Sequence, residues 1–356
     1  MNQKLIISLL LIALIGNIAC RKYNQGYTPV NPSPEKKWTV TTIAGDGRPF
    51  FADGPVLSAS FRNPLDVAVA EDGTIYVADP LSHRIRKIAG GQVTTFAGSG
   101  ISDTTNGPGV AAGFKLPDAL TIDNNGNLFT LDIDDPRVRE ISPGGFVTRY
   151  AGTGVEGFAD GRAEVAQFGE ETSGIASDNR GNIYISDFDN KRIRKVIGTG
   201  QVTTIAGNGN DGFIEGNSNI AQFSSPSGIV IDKQGNLFVA DLNRVRKIIP
   251  SGIVSTFAGG DSTGYRDGQQ GEALFSLIID MVIDQDGNIY LSDDNRIRKI
   301  TPQGMVSTLA GSIAGYQDGD AMSAKLSSPG GLGIDKRGNI YVADINNNRI
   351  RKISFE

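Results

Sequence analysis

The sequence predicts an all-β fold: a six-bladed β-propeller built from four-stranded antiparallel blades. The first observation behind this prediction is that two short segments recur six times with a regular period. The second is that each period holds four short β-type runs joined by glycine-containing turns, as tight antiparallel hairpins require. The third is that only the N-terminal apolar stretch sustains a helical period, so we expect almost no helix in the domain.

The first recurring segment reads GNIYVADINNNRIRKI in its last copy, at residues 338–353. Its other copies lie at residues 73–88, 126–141, 181–196, 235–248 and 287–300. The second segment resembles VTTIAG and begins at residues 40, 93, 147, 202, 254 and 306, so successive copies are 52 to 55 residues apart. Four antiparallel strands in such a period are typical of a propeller blade, and six repeats therefore predict six blades.

The two ends of the repeat region predict how the ring closes. The region begins with WTVTTIAG, an outer-type strand with no earlier strand to pair with, and ends with RIRKISFE, a third strand with no outer neighbour. We expect residues 38–45 to supply the fourth strand of the last blade. This pairing leaves no open sheet edge at the seam.

The repeated pattern G-N-I-Y-V-A-D followed by N-R-I-R-K-I, preceded by F-x-x-P-x-G-I-x-I-D, resembles the NHL repeat family of six-bladed propellers. The resemblance covers residues 38–356. It implies the propeller fold, but it implies no single function, because the family includes sensors, adhesion and signalling proteins, RNA binders and a few enzymes.

The N-terminus predicts export. Lys4 precedes an apolar stretch at residues 5–16, which is too short to span a bilayer and is typical of a secretory signal. Cys20 is the only cysteine and follows this stretch, as the lipid-accepting residue of a bacterial lipoprotein does, although Asn17 stands where leucine is usual. We therefore predict a lipoprotein signal peptide at 1–19, a lipid attachment and tether at 20–37, and the propeller at 38–356. The alternative is a plain signal peptide cut nearby.

These features place the protein in the bacterial cell envelope, attached to the membrane through a lipid on Cys20. Acylation by more than one chain would anchor it stably. No acidic run follows Cys20, and this favours a periplasm-facing position over the cell surface. With that cysteine acylated, the domain has no thiol for disulfides or for catalysis.

Charge and composition exclude several classes of function. The formal net charge is −5, whereas a general nucleic-acid-binding protein is normally basic, so we expect no nucleic-acid partner. His83 is the only histidine. A histidine-rich zinc centre is therefore excluded, and with it the chemistry of the peptide-amidating lyases that resemble this fold. No G-x-S-x-G motif accompanies His83 to suggest a Ser-His-Asp site.

An aspartate and an arginine-rich run recur in all six repeats. The R-x-R-K positions hold 17 of the 34 basic residues, with Glu140 at the eighteenth position. We interpret the repeated acid and base as structural, forming ion pairs within each blade and capping strand ends; a ligand site in every blade is the alternative. The residues assigned to this structural repeat are Asp79 and Arg84, Asp132 and Arg137, Asp187 and Arg192, Asp241 and Arg244, Asp293 and Arg296, and Asp344 and Arg349.

The long connections between blades repeat an aromatic-x-acid-Gly element. It reads FADG at 51–54, FADG at 158–161, FIEG at 213–216, YRDG at 265–268 and YQDG at 316–319, whereas blade 2 has TTNG at 104–107. We interpret the ring as packing its own loop onto the blade. The alternative is that it stacks on a bound sugar or peptide.

Acids that differ between blades are the candidate ligand-binding residues. Three stand where the inner strands begin, Asp66, Asp118 and Asp280, and four stand in neighbouring loops, Asp134, Asp135, Asp189 and Asp294. Convergent carboxylates at the channel mouth suit Ca²⁺, although none shows the spacing of a calcium-binding loop. The alternatives are attraction of a cationic group or simple solvation.

These observations favour a membrane-anchored binding or interaction scaffold without catalysis. Its loop face would bind an envelope protein, a peptide or a glycan. We expect a monomer and no cofactor other than Ca²⁺. The alternative is a metal-dependent hydrolase or lyase with an acidic site at the channel mouth.

Overall fold

Six antiparallel sheets of four or five strands follow one another along the chain in the computed structural model, which describes residues 36–178, 180–198 and 200–356. Each sheet is one blade, and in each the strands run in order from the central channel to the rim. The predicted signal peptide, Cys20 and most of the tether lie outside the described residues. Among the residues that are described, no helix is long and apolar enough to cross a membrane.

The two innermost strands of each blade come from the inner-strand entry and the I-Y-V-A-D segment. The innermost strands are β3 (Asp66–Val69), β7 (Leu116–Ile122), β12 (Gly174–Ser177), β17 (Pro226–Ile231), β21 (Ile278–Ile283) and β26 (Pro329–Ile334). The second strands are β4 (Ile75–Asp79), β8 (Leu128–Ile133), β13 (Ile183–Asp187), β18 (Leu237–Asp241), β22 (Ile289–Asp293) and β27 (Ile340–Asp344).

The R-I-R-K-I and V-T-T-I-A segments form the outer half of each blade. The third strands are β5 (Arg84–Ala89), β9 (Asp135–Ile141), β14 (Arg192–Ile197), β19 (Arg244–Ile248), β23 (Arg296–Ile300) and β28 (Arg349–Phe355). The fourth strands are β6 (Gln92–Ala97), β10 (Val147–Ala151), β15 (Gln201–Ala206), β20 (Ile253–Gly259), β24 (Val306–Ala310) and β1 (Trp38–Ala44).

Short elements complete the described fold. Two-residue strands add a fifth member to four blades: β2 (Gly54–Pro55), β11 (Gly161–Arg162), β16 (Gly216–Asn217) and β25 (Gly319–Asp320). The helical elements in the described ranges are three single 3₁₀ turns at Pro80–Ser82, Gly109–Ala111 and Ile345–Asn347. The predicted all-β six-bladed fold with almost no helix is confirmed.

The ring closes in the way that the sequence predicts. Strand β1, from the N-terminal side, pairs antiparallel with β28 at the other end of the described chain, with Trp38 opposite Phe355 and Val40 opposite Ile353. The rings of Trp38 and Phe355 lie 5.4 Å apart. Strand β1 also pairs with β25, so neither of its edges is open.

The hydrophobic core of the described region is divided into six clusters, each lying between two adjacent blades. The cluster at the seam joins Ala44, Ala343 and Ile350 of blade 6 to Val67 and Val77 of blade 1. The other five clusters repeat this arrangement around the ring. Because each sheet buries both faces against its neighbours, the alternating apolar residues of one strand serve two interfaces.

Candidate functional site

The innermost strands of all six blades enclose a central channel of about 350 Å³. Most of the residues that line it are aliphatic, among them Val67, Ile122 and Ile231. Among the described residues that line it, the charged side chains belong to Asp66 and Asp280. These two acids, placed among mostly aliphatic lining residues, break the pseudo-symmetry of the channel.

Asp66 and Asp280 occupy the same position in their blades, at the second residue after a proline or its equivalent. Blades 3, 4 and 6 have glycine there, at Gly174, Gly228 and Gly331. The Asp66 carboxylate accepts a hydrogen bond from the Leu120 N–H at 2.6 Å, and the Asp280 carboxylate accepts one from the Leu332 N–H at 2.8 Å. Each acid therefore connects its own blade to the next.

Gly331 makes room for one of these acids. A Cβ atom at this position would lie 1.9 Å from Oδ1 of Asp66, so any larger residue would displace the carboxylate. The same oxygen accepts a hydrogen bond from the Val67 N–H at 2.6 Å. Asp66 is thus held from two sides.

The electrostatics of the channel mouth favour protonated acids. Burial raises the pKa of Asp66 well above its usual range, and the negative charges of Asp280 and Asp118 raise it further. Burial also raises the pKa of Asp280 to about 6. Each acid therefore keeps its proton to a higher pH than an ordinary aspartate does, and a protonated carboxyl can both donate and accept hydrogen bonds.

Asp118 is half-buried near Asp66, one position earlier in its strand. Burial raises its pKa well above the usual range, and the negative charges of Asp132 and Glu171 add to the effect. Its Oδ1 atom is buried and has no hydrogen-bond partner in the described part of the structure. An unpaired buried oxygen of this kind is costly unless the group is protonated.

The four loop candidates do not line the channel. Asp134 is exposed, and its backbone carbonyl accepts a hydrogen bond from Lys115 Nζ. Asp189 is exposed and caps the Glu171 N–H at 2.7 Å, Asp294 pairs with Arg296 at 3.5 Å, and Asp135 is buried against Arg137 at 3.0 Å. Within the described ranges, no group of three or more His, Cys, Asp or Glu side chains is placed to hold a metal ion. The Ca²⁺ site stays a prediction, without a preformed ligand cluster to support it.

The repeated aspartate forms a buried ion pair in five blades, and its partner is the second arginine of the run. The sequence interpretation named the first arginine, and the structure corrects this assignment. The pairs, with their nitrogen–oxygen distances, are Arg86–Asp79 at 2.9 Å, Arg194–Asp187 at 2.7 Å, Arg246–Asp241 at 3.0 Å, Arg298–Asp293 at 2.6 Å and Arg351–Asp344 at 2.5 Å. All five arginine side chains are fully buried.

The aspartate of each pair also caps the loop that enters the inner strand. Asp79 accepts a hydrogen bond from the Arg62 N–H at 2.7 Å, and Asp344 accepts one from the Ser327 N–H at 2.8 Å. One carboxylate thus fixes both a buried guanidinium and a loop backbone. This dual contact explains why the aspartate recurs in these five blades.

The first arginine of each run stacks on the ring of the aromatic-x-acid-Gly element. The guanidinium carbon lies 3.9 to 4.1 Å from the ring centre in five blades: Arg84 on Phe51, Arg192 on Phe158, Arg244 on Phe213, Arg296 on Tyr265 and Arg349 on Tyr316. These rings therefore pack their own loops onto the blade, which is the structural interpretation of the element.

The acid of the same element is a second counter-ion, which the sequence analysis missed. It contacts the buried second arginine in four blades: Asp53 and Arg86 at 2.6 Å, Asp160 and Arg194 at 2.8 Å, Asp267 and Arg298 at 2.8 Å, and Asp318 and Arg351 at 2.6 Å. The signal was present in the sequence, since the acid recurs in the same five loops as the ring.

Comparison with known proteins agrees with this repeated geometry. The family model described as "NHL repeat" matches residues 326–353, which contain the Asp344–Arg351 pair. One NHL repeat is thus identified in this six-bladed β-propeller. A curated relative, Protein SUPPRESSOR OF QUENCHING 1 of Arabidopsis thaliana, is 28% identical over 330 residues, covering 89% of this chain but 27% of that protein. The chain thus spans little more than a quarter of that relative.

Two solved structures show the same fold. A Bacteroides thetaiotaomicron protein of unknown function has a TM-score of 0.71 at 24% identity, over 90% of this chain and 77% of the other. An auxiliary nutrient binding protein from the same organism has a TM-score of 0.68 at 18% identity, over the same shares. At these identities the likeness establishes the fold alone.

Blade 2 of the propeller departs from the other five. Asp132 lies at the repeated position, but its carboxylate accepts hydrogen bonds from the N–H groups of Lys115 and Leu116 and has no arginine within ion-pair distance among the described residues. Arg139, the second arginine of this run, instead faces Asp135 at 3.9 Å. Burial without a close cation raises the pKa of Asp132 to about 7.

Proposed function

We propose that this propeller is a non-catalytic binding scaffold that receives a ligand at the mouth of its central channel. The observation that carries the proposal is the placement of Asp66 and Asp280 in the channel wall. Three other blades have glycine at the same position, so the fold does not require an acid there. A few charged groups placed among aliphatic residues in a concave site are typical of ligand recognition.

The chemistry of the channel mouth indicates the kind of ligand. Two acids with raised pKa values can accept hydrogen bonds from hydroxyl or ammonium groups, and they can donate when protonated. The aliphatic wall below them suits a small apolar stem. We therefore propose a glycan, peptide or protein ligand that inserts a hydroxyl- or amine-bearing group between Asp66 and Asp280.

The location that we propose is the bacterial cell envelope, with a lipid anchor at Cys20 and the propeller facing the periplasm. The support comes from the N-terminal sequence and from the fold shared with proteins named as auxiliary nutrient binding proteins in two Bacteroides species. A monomer that presents one channel mouth is sufficient for this function.

The test is a double substitution, Asp66→Asn with Asp280→Asn, in the purified protein. Each asparagine keeps one acceptor oxygen, which can receive the hydrogen bond from Leu120 or Leu332, although the contact of residue 66 with the Val67 N–H is then lost; we expect the fold to persist. Calorimetric titration with soluble oligosaccharides and lysine-containing peptides is expected to show binding to the wild type, weakened by about tenfold or more in the double variant. The matched control is Asp286→Asn, which changes an exposed acid in a turn of blade 5.

Two results would contradict the proposal. One is a ligand whose affinity is the same for the wild type and for the double variant, since it binds elsewhere. The other is the absence of any binding to the panel by a wild-type protein that unfolds cooperatively.

The metal-dependent alternative makes a different prediction. Because no three potential ligands converge among the described residues, we expect millimolar Ca²⁺ to leave the melting temperature measured in EDTA unchanged. A bound ion at 100 times its dissociation constant would add about 2.7 kcal/mol to the free energy of unfolding, which thermal denaturation detects readily. An upward shift in the wild type, lost when Asp66 and Asp280 become asparagine, would favour the hydrolase or lyase hypothesis instead.

A further inference from the structure

Five blades share a set of side chains at their outer ends. In each, the ring of the aromatic-x-acid-Gly element stacks on the first arginine. The acid of the element also accepts a hydrogen bond from a backbone N–H of the fourth strand: Thr42 at 3.1 Å, Thr95 at 3.1 Å, Thr204 at 3.0 Å, Thr256 at 2.7 Å and Thr308 at 3.0 Å. Ring and carboxylate together fill the space between the loop and the two arginines.

Blade 2 lacks both groups. Thr104 replaces the ring and Asn106 replaces the acid. Asn106 Oδ1 accepts a hydrogen bond from Arg139 Nη2 at 3.0 Å, so a neutral amide takes the place of a counter-ion. Arg149 replaces the threonine of the fourth strand and lies directly opposite Arg139 in the strand pairing. Like charges in this arrangement repel each other.

A cavity of about 390 Å³ lies where the missing groups would be. Its lining residues are Thr104, Asn106, Arg137, Arg139, Thr148 and Arg149.

The first arginine of blade 2 keeps the position of its counterparts. A Cβ atom at Gly154 would lie 2.0 Å from Arg137 Nη2, and one at Gly100 would lie 2.2 Å from Arg84 Nη2. The face on which a ring stacks in blade 1 is therefore left without its own aromatic ring in blade 2.

The side chains that line the cavity carry a net positive charge. Three guanidinium groups belong to its wall, and Arg149 has no acidic partner within ion-pair distance in the described ranges. Asp135 forms an ion pair with Arg137 at 3.0 Å, but it is only 2% exposed and does not line the cavity. Asp103 and Asp132 also act on Arg139 electrostatically, but neither contributes to the lining.

We propose that this cavity binds a small aromatic carboxylic acid, which supplies the ring and the carboxylate that the other blades supply from their own loops. The ring stacks on Arg137, and the carboxylate lies between Arg139 and Arg149. Stacking on a guanidinium and charge-assisted hydrogen bonds to arginine are the two interactions that this site offers. The site lies at the outer end of blade 2, and the proposal does not depend on ligand binding in the channel.

The probe is 3-phenylpropionate, titrated calorimetrically into the purified protein. We expect one site per chain, weaker binding at higher salt, and no binding of the neutral 3-phenylpropanamide. The decisive variant is Thr104→Phe with Asn106→Asp, which restores the FxD sequence of blades 1 and 3. We expect it to weaken binding by about tenfold or more and to raise the melting temperature, because it fills the cavity and neutralises Arg139.

The matched control is Asn210→Asp, which adds the same negative charge at an exposed position in another loop. It is expected to bind 3-phenylpropionate as the wild type does. The proposal is overturned if the wild type binds no 3-phenylpropionate at millimolar concentrations. It is equally overturned if the filled variant keeps wild-type affinity, or if the amide binds as well as the acid.

Discussion

Asp344→Ala is expected to lower the free energy of unfolding by about 3–5 kcal/mol, because it leaves a guanidinium buried without its inner counter-ion. Water cannot replace the lost carboxylate, because the Arg351 side chain is fully buried. Asp318 still contacts Arg351 at 2.6 Å, but it is 39% exposed and lies on the outer side. We therefore expect a value towards the lower end, measured by urea denaturation.

Asp132→Asn is the matched control, because it changes the same repeat position in the one described blade whose aspartate lacks the arginine contact. The folded-state pKa of Asp132 is about 7, against 3.8 for an ordinary aspartate, so the folded state binds this proton more tightly than the unfolded state does. As pH rises from about 4 to about 7, Asp132 ionises in the unfolded state but stays protonated in the folded state, and the free energy of unfolding of the wild type falls. The variant lacks this loss, so its relative stability should improve across that window and stay constant above it.

Either half of this comparison can fail. If Asp344→Ala left the melting temperature unchanged while removing a binding activity, the aspartate would be a ligand-binding residue and not a structural one. If the stability difference between Asp132→Asn and the wild type were independent of pH, Asp132 would not be the buried, unpaired acid that the structure shows.

Deletion of residues 349–356 is expected to abolish cooperative unfolding altogether. The deletion removes β28, the strand that lies between β1 and β27 in blade 6. Two sheet edges are then open, and the buried residues Val40 and Ala44 lose Ile353 and Ile350 from their core clusters. Urea denaturation followed by tryptophan fluorescence is a direct measurement, since Trp38 is the only tryptophan and lies at the seam.

A circular permutant provides the matched control. Lys37 and Glu356 are hydrogen-bonded to each other through their backbones, at 2.6 and 3.0 Å, so a two-residue turn can join the ends of the propeller. New ends between Gly90 and Gly91 fall in an exposed turn and move the closure to blade 1. We expect this permutant to unfold cooperatively. A cooperative deletion variant, or a permutant that does not fold, would show that strand pairing at the seam is not what holds the ring together.

The fold could be predicted because its determinants are local and repeated. Each blade carries its own turn glycines and its own alternating strands, and the unpaired segments at both ends indicate the seam. The partner of the aspartate could not be predicted in this way. Asp79 lies directly opposite Arg84 in the strand register, and the sequence pattern therefore favours Arg84 as its partner. The partner depends on contacts with a distant loop, where Phe51 stacks on Arg84 and Asp53 contacts Arg86.

The candidate sites were only partly predictable for the same reason. Asp66 and Asp280 stand out in sequence as symmetry-breaking acids, but whether they face the channel depends on contacts with the next blade. The four loop acids have the same side chain and also differ between blades, but they do not line the channel. The TTNG sequence of blade 2 was visible as an exception, yet its meaning depends on seeing what the ring and acid contact in the other five blades.

Closure of the ring between the two ends of the propeller also constrains how the protein can be made. Residues 38–44 have their strand partners in residues 319–355, so the first strand synthesised waits for the last. At about 5–20 residues per second, the ribosome needs many seconds to supply that partner, and the nascent chain carries an unpaired strand throughout. The propeller is therefore unable to close before residues 349–355 have been synthesised.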